Sequence, residues 1–217
     1  MKKLSFAIAA LSLATSAAFV STSATAEVTA NAAVTSNYIW RGVTQTGNEA
    51  AVSGGIDYSA ESGFYAGTWV SNVSGGTELD LYGGFGADIN ESMSYDVGFI
   101  YYAYTDLDDA DFSEIYGNLT FSGLTLGLAV LTSSAADYDV ADSVYASADY
   151  ALALSNEAEV NFHIGSGSGD ASYDALDFGV SLSKDNFTFG VSKSDIENAG
   201  NADDVKFYVA YSVDIAM

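Results

Sequence analysis

The sequence predicts an all-β protein, an antiparallel up-and-down transmembrane β-barrel of about twelve strands. Three observations lead to this fold class. Apolar and polar residues alternate with a period of two through most of the chain, as they do along β-strands. Long and short connections between these runs alternate in chain order. The polar face of the runs carries mainly Gly, Ala, Ser and Thr rather than Lys and Glu, which indicates a crowded or wet interior.

The N-terminus has the features of a secretory signal. Lys2-Lys3 precedes an apolar run from Leu4 to Val20, and Ala24-Thr25-Ala26 matches the small-residue cleavage pattern. We therefore expect residues 1–26 to be a cleaved signal peptide and residues 27–217 to be the outer-membrane β-barrel. A retained membrane anchor is the alternative. The chain has no Cys, which excludes a disulfide framework and a thiolate metal site.

The charge of the mature chain limits its partners. After removal of the signal, four basic residues would face 29 acidic ones, a formal charge of −25. This excludes binding to phosphate backbones as a main role, so we expect no nucleic acid partner, and it favours attraction of cations. A need for solubility or a salty habitat would explain the same charge. No mature segment has the ~20 consecutive apolar residues of a membrane helix, so insertion would require strands closed into a barrel.

The segment from Asp174 to Lys193 shows the pattern on which the strand assignments are based. Two runs of alternating residues flank Asp185-Asn186, a typical short hairpin connection. The same pattern predicts twelve strands in the whole chain: Val28–Trp40, Ala51–Ala60, Phe64–Ser71, Glu78–Ile89, Met93–Tyr104, Phe112–Phe121, Leu124–Thr132, Ser143–Leu154, Ala158–Gly165, Tyr173–Lys184, Phe187–Lys193 and Val205–Ile215.

The lengths of the connections predict an orientation. Outer-membrane barrels have short periplasmic turns and longer extracellular loops. If the first strand starts in the periplasm, all long connections lie outside, whereas a soluble Greek-key sandwich would mix the lengths. Acidic residues concentrate in these loops and would form a negative outer vestibule, or simply solvate mobile loops. The predicted long connections are Arg41–Ala50, Asn72–Thr77, Thr105–Asp111, Ser133–Asp142, Ser166–Ser172 and Ser194–Asp204.

The alternation assigns each strand residue to lipid or to the lumen. Small inward residues in a barrel of about twelve strands could leave room for water. A dry, unpaired carboxylate would be costly, so inward acids favour a hydrated passage that prefers cations. Arg41 would either clamp a lumenal carboxylate through two hydrogen bonds or anchor the first loop. The candidate pore-lining residues are Asp57, Asp80, Asp96, Asp149, Asp177, Asp214, Arg41 and His163.

Aromatic residues near the predicted strand ends are typical of the girdles at the two membrane interfaces. Aromatic residues in the core of a soluble β-protein are the alternative. The candidate interface aromatics are Tyr38, Trp40, Phe64, Phe121, Phe187 and Phe207.

No catalytic or metal centre is evident in the sequence. His163 is the one histidine, and a Ser-His-Asp hydrolase would have to use it from the middle of a strand. The acidic segment Asp106–Asp111 lacks the Gly and the distal Glu of an EF-hand. We therefore expect no enzymatic activity, no metal site and no cofactor, with weak divalent bridging to lipopolysaccharide at that loop as the lesser alternative.

The segment Ser36-Asn37-Tyr38-Ile39-Trp40-Arg41-Gly42-Val43-Thr44-Gln45-Thr46 resembles the N-terminal signature of the TorF-type porin family. The likeness continues through residues 51–58 and 62–73. It implies a proteobacterial outer-membrane barrel with a channel role, and it offers no catalytic or binding residues to carry over. One departure is the C-terminus, which ends Asp214-Ile215-Ala216-Met217 rather than on the aromatic residue that such barrels commonly carry.

These observations together predict an outer-membrane porin of a Gram-negative bacterium. It would allow diffusion of small solutes and would favour cations or neutral solutes. Its partners would be outer-membrane lipid and lipopolysaccharide, the outer-membrane assembly machinery and the solutes themselves. The alternatives are a narrow or plugged barrel with a structural or adhesive role through its acidic loops, and a secreted soluble β-sandwich binder.

Overall fold

A computed structural model describes residues 26–171, 174–196 and 202–217. Twelve strands form one closed antiparallel barrel in the order β1-β14-β13-β12-β11-β10-β9-β8-β7-β6-β5-β4, and β2 and β3 form a separate hairpin. The predicted fold class and strand number are confirmed. The strands are β1 Glu27–Thr35, β2 Ile39–Trp40, β3 Val43–Thr44, β4 Ala51–Ser59, β5 Phe64–Val73, β6 Gly76–Asn90, β7 Met93–Thr105, β8 Phe112–Phe121, β9 Leu124–Ser134, β10 Val144–Ala153, β11 Glu159–Ser168, β12 Ala175–Lys184, β13 Phe187–Ser194 and β14 Lys206–Ala216.

Pairing of the first and last strands closes the barrel. Strand β1 pairs with β4 on one side and with β14 on the other, both antiparallel. Because each of the twelve barrel strands has two neighbours, the barrel wall has no open edge that could aggregate or meet solvent. Within the described ranges, no helix has the length and apolar character needed to cross a membrane.

The alternation of side chains places apolar residues on the outside of the barrel. In β9, Leu124, Leu126 and Leu128 are 37–50% exposed, whereas Thr125 and Gly127 lie on the inner face. The same arrangement holds in β12, where Phe178 and Val180 are exposed and flank the inward Gly179. The apolar faces are therefore not pressed against a second sheet, which excludes the sandwich alternative as a fold.

The two ends of the barrel differ in their connections. At one end, the turn end, lie Glu27, Met217 and the short turns 60–63, 91–92, 122–123, 154–158 and 185–186. At the other end, the loop end, the connections are longer, with one correction. The connection predicted at Asn72–Thr77 is the two-residue turn Ser74-Gly75, because β5 continues to Val73 and β6 begins at Gly76.

The first predicted strand, Val28–Trp40, is wrong at its end. Strand β1 stops at Thr35, and the chain then bends away from the wall. Arg41 (φ 47°) and Gly42 (φ 76°) form the tip of the β2–β3 hairpin. These positive φ values are incompatible with a continuing strand, so the segment that resembles the TorF-type signature is a hairpin and not part of the wall.

Candidate functional site

The hairpin of residues 36–50, called here the lumen hairpin, folds into the barrel from the loop end. It leaves the wall after β1, and its tip reaches β12 and β13. A Cβ atom added at Gly42 would lie 2.6 Å from the Cβ of Asp177 and 2.9 Å from the Cβ of Ser194. Both the positive φ and this close approach require glycine at the tip. The hairpin therefore spans the lumen.

A polar network fixes the base of the lumen hairpin. The side-chain oxygen Oδ1 of Asn37 accepts a hydrogen bond from Thr44 Oγ1 at 2.6 Å, and Nδ2 of Asn37 donates to Asn48 Oδ1 at 3.1 Å. The backbone N–H of Tyr38 donates to Thr46 Oγ1 at 3.2 Å. These side chains form hydrogen bonds with polar groups in the buried part of the loop, where an unpaired polar group would be unfavourable. They explain why the segment is rich in Asn and Thr.

Tyr38 anchors one side of the hairpin to the wall. Its hydroxyl donates to Glu78 Oε1 of β6 at 2.7 Å, and its ring packs edge-on against Trp69 with centroids 5.5 Å apart. Burial raises the pKa of Tyr38 well above its ordinary value near 10, and the nearby Glu78 carboxylate raises it further. The phenol therefore stays protonated and remains a hydrogen-bond donor.

Arg41 anchors the tip to another part of the wall. Its two terminal nitrogens each donate to one oxygen of Glu114 in β8 at 2.8 Å. Its guanidinium carbon lies 4.2 Å from the ring centroids of both Trp40 and Tyr145. Burial alone would lower the pKa of Arg41, but the Glu114 carboxylate outweighs burial and raises it above its ordinary value. The guanidinium therefore remains charged, and its bidentate geometry is the strong form of this pair.

A second charged cluster supports the wall where the tip touches it. His163 lies between two carboxylates, with Nδ1 2.8 Å from Asp149 Oδ1 and Nε2 2.9 Å from Asp177 Oδ1. Tyr145, whose ring stacks on Arg41, donates its hydroxyl to Asp177 Oδ2 at 3.0 Å. Both ring nitrogens of His163 are therefore engaged with acids, and the arrangement is a brace across β10, β11 and β12.

The remaining inward acids differ in their partners. Asp57 accepts hydrogen bonds from Tyr82 and from Asn31, and Asp96 accepts one from Tyr65 at 2.7 Å. Asp80 is 1% exposed, and neither of its carboxylate oxygens has a hydrogen-bond partner in the described part of the chain. Among the described residues, no three His, Asp or Glu side chains converge in a way that would hold a metal ion.

A sequence profile of the Gcw_chp family, described as a bacterial protein of unknown function, matches residues 19–214. The chain belongs to the Gcw_chp family. No curated protein matches this sequence significantly. Membership of this family therefore assigns no activity to the chain.

The solved structure of the KdgM porin has a similar fold to this Gcw_chp chain. The identity is 10%, the TM-score is 0.56, and the match covers 89% of this chain and 99% of KdgM. KdgM in complex with disordered oligogalacturonate matches with the same values. OccD3 from Pseudomonas aeruginosa matches at 12% identity with a TM-score of 0.43, over 88% of this chain and 60% of its own. At this identity the KdgM likeness shows the fold, a closed porin-type barrel.

In this Gcw_chp chain the predicted acids all lie at inward positions. The register pairs Asp57 with Gly67, Asp214 with Asn31, and Asp149 with His163 on the same face. Asp80, Asp96 and Asp177 share that face, as does His163, while Arg41 enters the lumen on the hairpin. That these residues line a conducting passage stays a prediction. Asp214 is exposed at the turn end.

Two lumenal acids, Glu78 and Glu114, were not among the predicted candidates, yet they bind the hairpin. A signal for both existed in the sequence. Glu78 has the same parity as Asp80, and Glu114 has the same parity as Tyr116, so alternation places both inside. The clamp predicted for Arg41 is present, and Glu114 is the acid that it holds.

The predicted interface aromatics separate into two groups. Phe64, Phe121, Phe187 and Phe207 are exposed on the outer surface. Tyr38 and Trp40 were assigned wrongly to the membrane interface. Tyr38 is 4% exposed, and Trp40 packs against Tyr102 and Phe112 inside the barrel. The error follows from the hairpin, which turns both rings inward.

Proposed function

We propose that the chain is an outer-membrane diffusion channel for small solutes, of the TorF-type family that its lumen hairpin resembles. One observation carries the membrane part of the proposal. The outer face of the closed barrel is an apolar belt, with leucines of β9 and aromatics such as Phe64 and Phe207 exposed. Exposed apolar surface of this extent is unfavourable in water, and a closed barrel is the form in which strands can meet lipid.

The connections support an orientation within that membrane. Glu27, Met217 and the short turns lie at the turn end, which is the periplasmic arrangement of outer-membrane barrels. The acidic loops would then face the exterior. The predicted signal peptide lies outside the described residues, apart from Ala26, and its cleavage remains part of the proposal.

The charges of the lumen support a preference for cations or neutral solutes. The described lumenal bases are all engaged: Arg41 holds Glu114, His163 lies between two aspartates, and Lys206 donates to the carbonyls of Ala202 and Asp204. An anion entering the barrel would find carboxylates without a free cation to bind. The oligogalacturonate held by KdgM is an acidic sugar chain, and we do not propose such a substrate for this chain.

The lumen hairpin supports a narrow channel. At its level the inward residues Tyr102, Glu114 and Leu131 are all buried. The hairpin and these side chains together narrow the lumen at this level. This observation also favours a second candidate function, a plugged barrel whose role is structural or adhesive and depends on its acidic loops.

Reconstitution into planar bilayers tests the proposal. Under a tenfold KCl gradient, we expect small conductance steps and a reversal potential of the sign that indicates K⁺ permeation. A reversal potential that indicates Cl⁻ would contradict the cation preference. Absence of conductance from a correctly folded, heat-modifiable barrel would favour the plugged candidate. Fractionation of cells tests the location separately, because the protein should be recovered with outer membranes.

A further inference from the structure

The brace of Asp149, His163 and Asp177 holds one imidazole ring between two carboxylates. The ring nitrogens Nδ1 and Nε2 lie 2.8 Å from Asp149 Oδ1 and 2.9 Å from Asp177 Oδ1. A neutral imidazole carries a single N–H, so one of these contacts would then bring two lone pairs together. Both contacts are favourable only when the cluster holds one further proton, which gives His163 two N–H donors. The brace is therefore a proton-binding site.

No other described cation is placed to neutralise the two aspartates. They are 7% and 4% exposed, and the His163 side chain is 16% exposed. The ionisable groups that face His163 from the elements packed against β11 are Asp149 and Tyr145 of β10, Asp177 of β12 and, behind the Tyr145 ring, Arg41 of the lumen hairpin. Arg41 is already held by Glu114. Loss of the proton would therefore leave two buried carboxylates together without a cation, which is unfavourable.

Tyr145 connects this cluster to the tip of the lumen hairpin. Its hydroxyl lies 3.0 Å from both Asp177 Oδ2 and His163 Nε2, and its ring centroid lies 4.2 Å from the guanidinium carbon of Arg41. When both ring nitrogens of His163 carry protons, only the Asp177 carboxylate can accept the phenol proton. When His163 keeps its proton on Nδ1 alone, Nε2 becomes an acceptor and competes with Asp177 for the phenol.

The effect of losing the proton would be felt at the hairpin tip. Asp177 would lose the N–H of His163 and would have to share the proton of Tyr145. A buried carboxylate in this state needs water as a donor. A Cβ atom built at Gly42 lies 2.6 Å from the Cβ and 3.5 Å from the Cγ of Asp177, so the tip covers one side of that carboxylate. Hydration of Asp177 from this side requires the tip to move.

We propose that the brace is a proton-operated latch on the lumen hairpin. With its proton, the brace is satisfied and the tip stays seated between Glu114 of β8 and Asp177 of β12. Without the proton, Asp177 draws in water and the tip loosens, while the Tyr38 anchor keeps the rest of the hairpin in place. The latch itself is independent of conductance, whereas any effect on permeation rests on the proposed channel function.

The single histidine makes the proton directly observable by NMR. In the refolded barrel labelled with ¹⁵N-histidine, we expect two slowly exchanging ring N–H signals at pH 6, because each proton is held by a carboxylate. One of them should be lost as the pH is raised to 10. A single ring N–H signal at pH 6 would overturn the proposal. Retention of both signals at pH 10 would also overturn it, because the latch would then never release.

Trp40 reports whether the tip is seated. In the Trp69→Phe variant it is the one remaining tryptophan, and it packs against Tyr102 and Phe112 inside the barrel. Quenching of its fluorescence by acrylamide should increase by at least about twofold over the pH range in which His163 loses its proton, as local opening exposes the ring. Quenching that stays constant over that range would overturn the latch.

Asp149→Asn in the Trp69→Phe background tests the assignment to the brace. Its amide can donate to Nδ1, so a neutral His163 donating to Asp177 satisfies every contact. We expect one ring N–H signal at pH 6 and quenching that no longer depends on pH. The matched control Asp57→Asn should keep the pH dependence, and loss of it there would contradict the proposal. The two measurements without a change at the brace decide the question if Asp149→Asn does not fold. Conductance that ignores pH while quenching follows it would count against the channel function and leave the latch supported.

Discussion

The two halves of the barrel lumen are built from the same strands but differ in the size and burial of many of their inward side chains. Toward the loop end, inward side chains such as Tyr102 and Glu114 are large and buried around the hairpin. Toward the turn end, Thr125, Asn161 and Ser183 are small and half-buried, and Tyr65 is a large, buried exception that donates a hydrogen bond to Asp96. A barrel of twelve strands is wider than the ~8-strand barrels whose own side chains fill the interior. An inserted segment therefore supplies much of the core of the loop-end half.

The difference extends to how charge is handled. In the loop-end half, charges are paired tightly, as Arg41 with Glu114. In the turn-end half, Asp214 is exposed and can be solvated by water. Changes near the hairpin should therefore have large effects on conductance and stability, and changes at the turn end should have small ones.

Removal of the hairpin tip should have the largest effect. Gln45 N donates to the Tyr38 carbonyl at 2.7 Å, so Gly-Gly can replace Ile39–Thr44 and close the shortened turn. Because the tip spans the lumen, single-channel conductance should rise several-fold. Shortening the rim connection 135–143 by four residues is the control and should leave conductance nearly unchanged. Equal conductance in both variants would show that the hairpin does not restrict the passage.

The Arg41 clamp should dominate the stability of the loop-end half. Arg41→Met leaves Glu114 buried without its cation and should lower the free energy of unfolding by about 3–5 kcal/mol. Equilibrium unfolding in urea of the refolded barrel in detergent measures this. Adding Glu114→Gln removes the orphaned charge and should recover most of the loss. If Arg41→Met alone is as stable as the wild type, the clamp does not contribute to the free energy of unfolding.

Tyr38 should contribute less than Arg41. Tyr38→Phe removes the hydrogen bond to Glu78 and should cost about 1.5–3 kcal/mol, as expected for a bond to a charged group. The same urea experiment applies. Tyr58→Phe is the control, because Tyr58 is exposed on the outer face, and its effect should stay within about 0.5 kcal/mol.

Alkaline pH should reveal the buried phenol of Tyr38. Its pKa in the folded chain is raised well above the ordinary value near 10, so the unfolded chain loses this proton first. The contribution of Tyr38 is complete below pH 10 and is lost as pH rises toward the folded pKa. The stability advantage of wild type over Tyr38→Phe should shrink above pH 10 by at most about 1.4 kcal/mol per pH unit. A constant difference between pH 9 and 11 would argue against burial of the phenol.

The smallest effect is expected at the turn end. Asp214→Asn should change the K⁺/Cl⁻ permeability ratio by less than about twofold, because salt screens an exposed charge. Reversal potentials at two salt concentrations measure this ratio. The change that Asp214→Asn causes in the reversal potential should be smaller at the higher salt concentration. A large loss of selectivity would show that the turn-end half, rather than the hairpin level, determines ion preference.

Alternation of residues was sufficient to predict much of the candidate site. It placed Asp57, Asp96 and Asp177 on the inner face, and it would have added Glu78 and Glu114 had it been applied to every acid. It could not predict which acids meet which bases, because Arg41 and Glu114 are 73 residues apart in the chain. Such pairs depend on where the hairpin enters.

The same alternation also caused the main error. Val34, Ser36, Tyr38 and Trp40 share a parity, and a strand that continued past Thr35 would carry both aromatic rings on the lipid face. Whether a chain stays in the wall depends on contacts elsewhere, such as the space that Asp177 and Ser194 leave for Gly42. Local pattern contains no information about that space.

The sequence by itself determined the all-β class, a barrel of about twelve strands and the face of most strand residues, since those follow from periodicity and connection length along the chain. The tertiary structure alone decided that the first loop fills half of the lumen and which charges it meets there. The physical reason is geometric: a closed ring of twelve strands has an interior that its own side chains do not fill, and only the folded ring shows what occupies it.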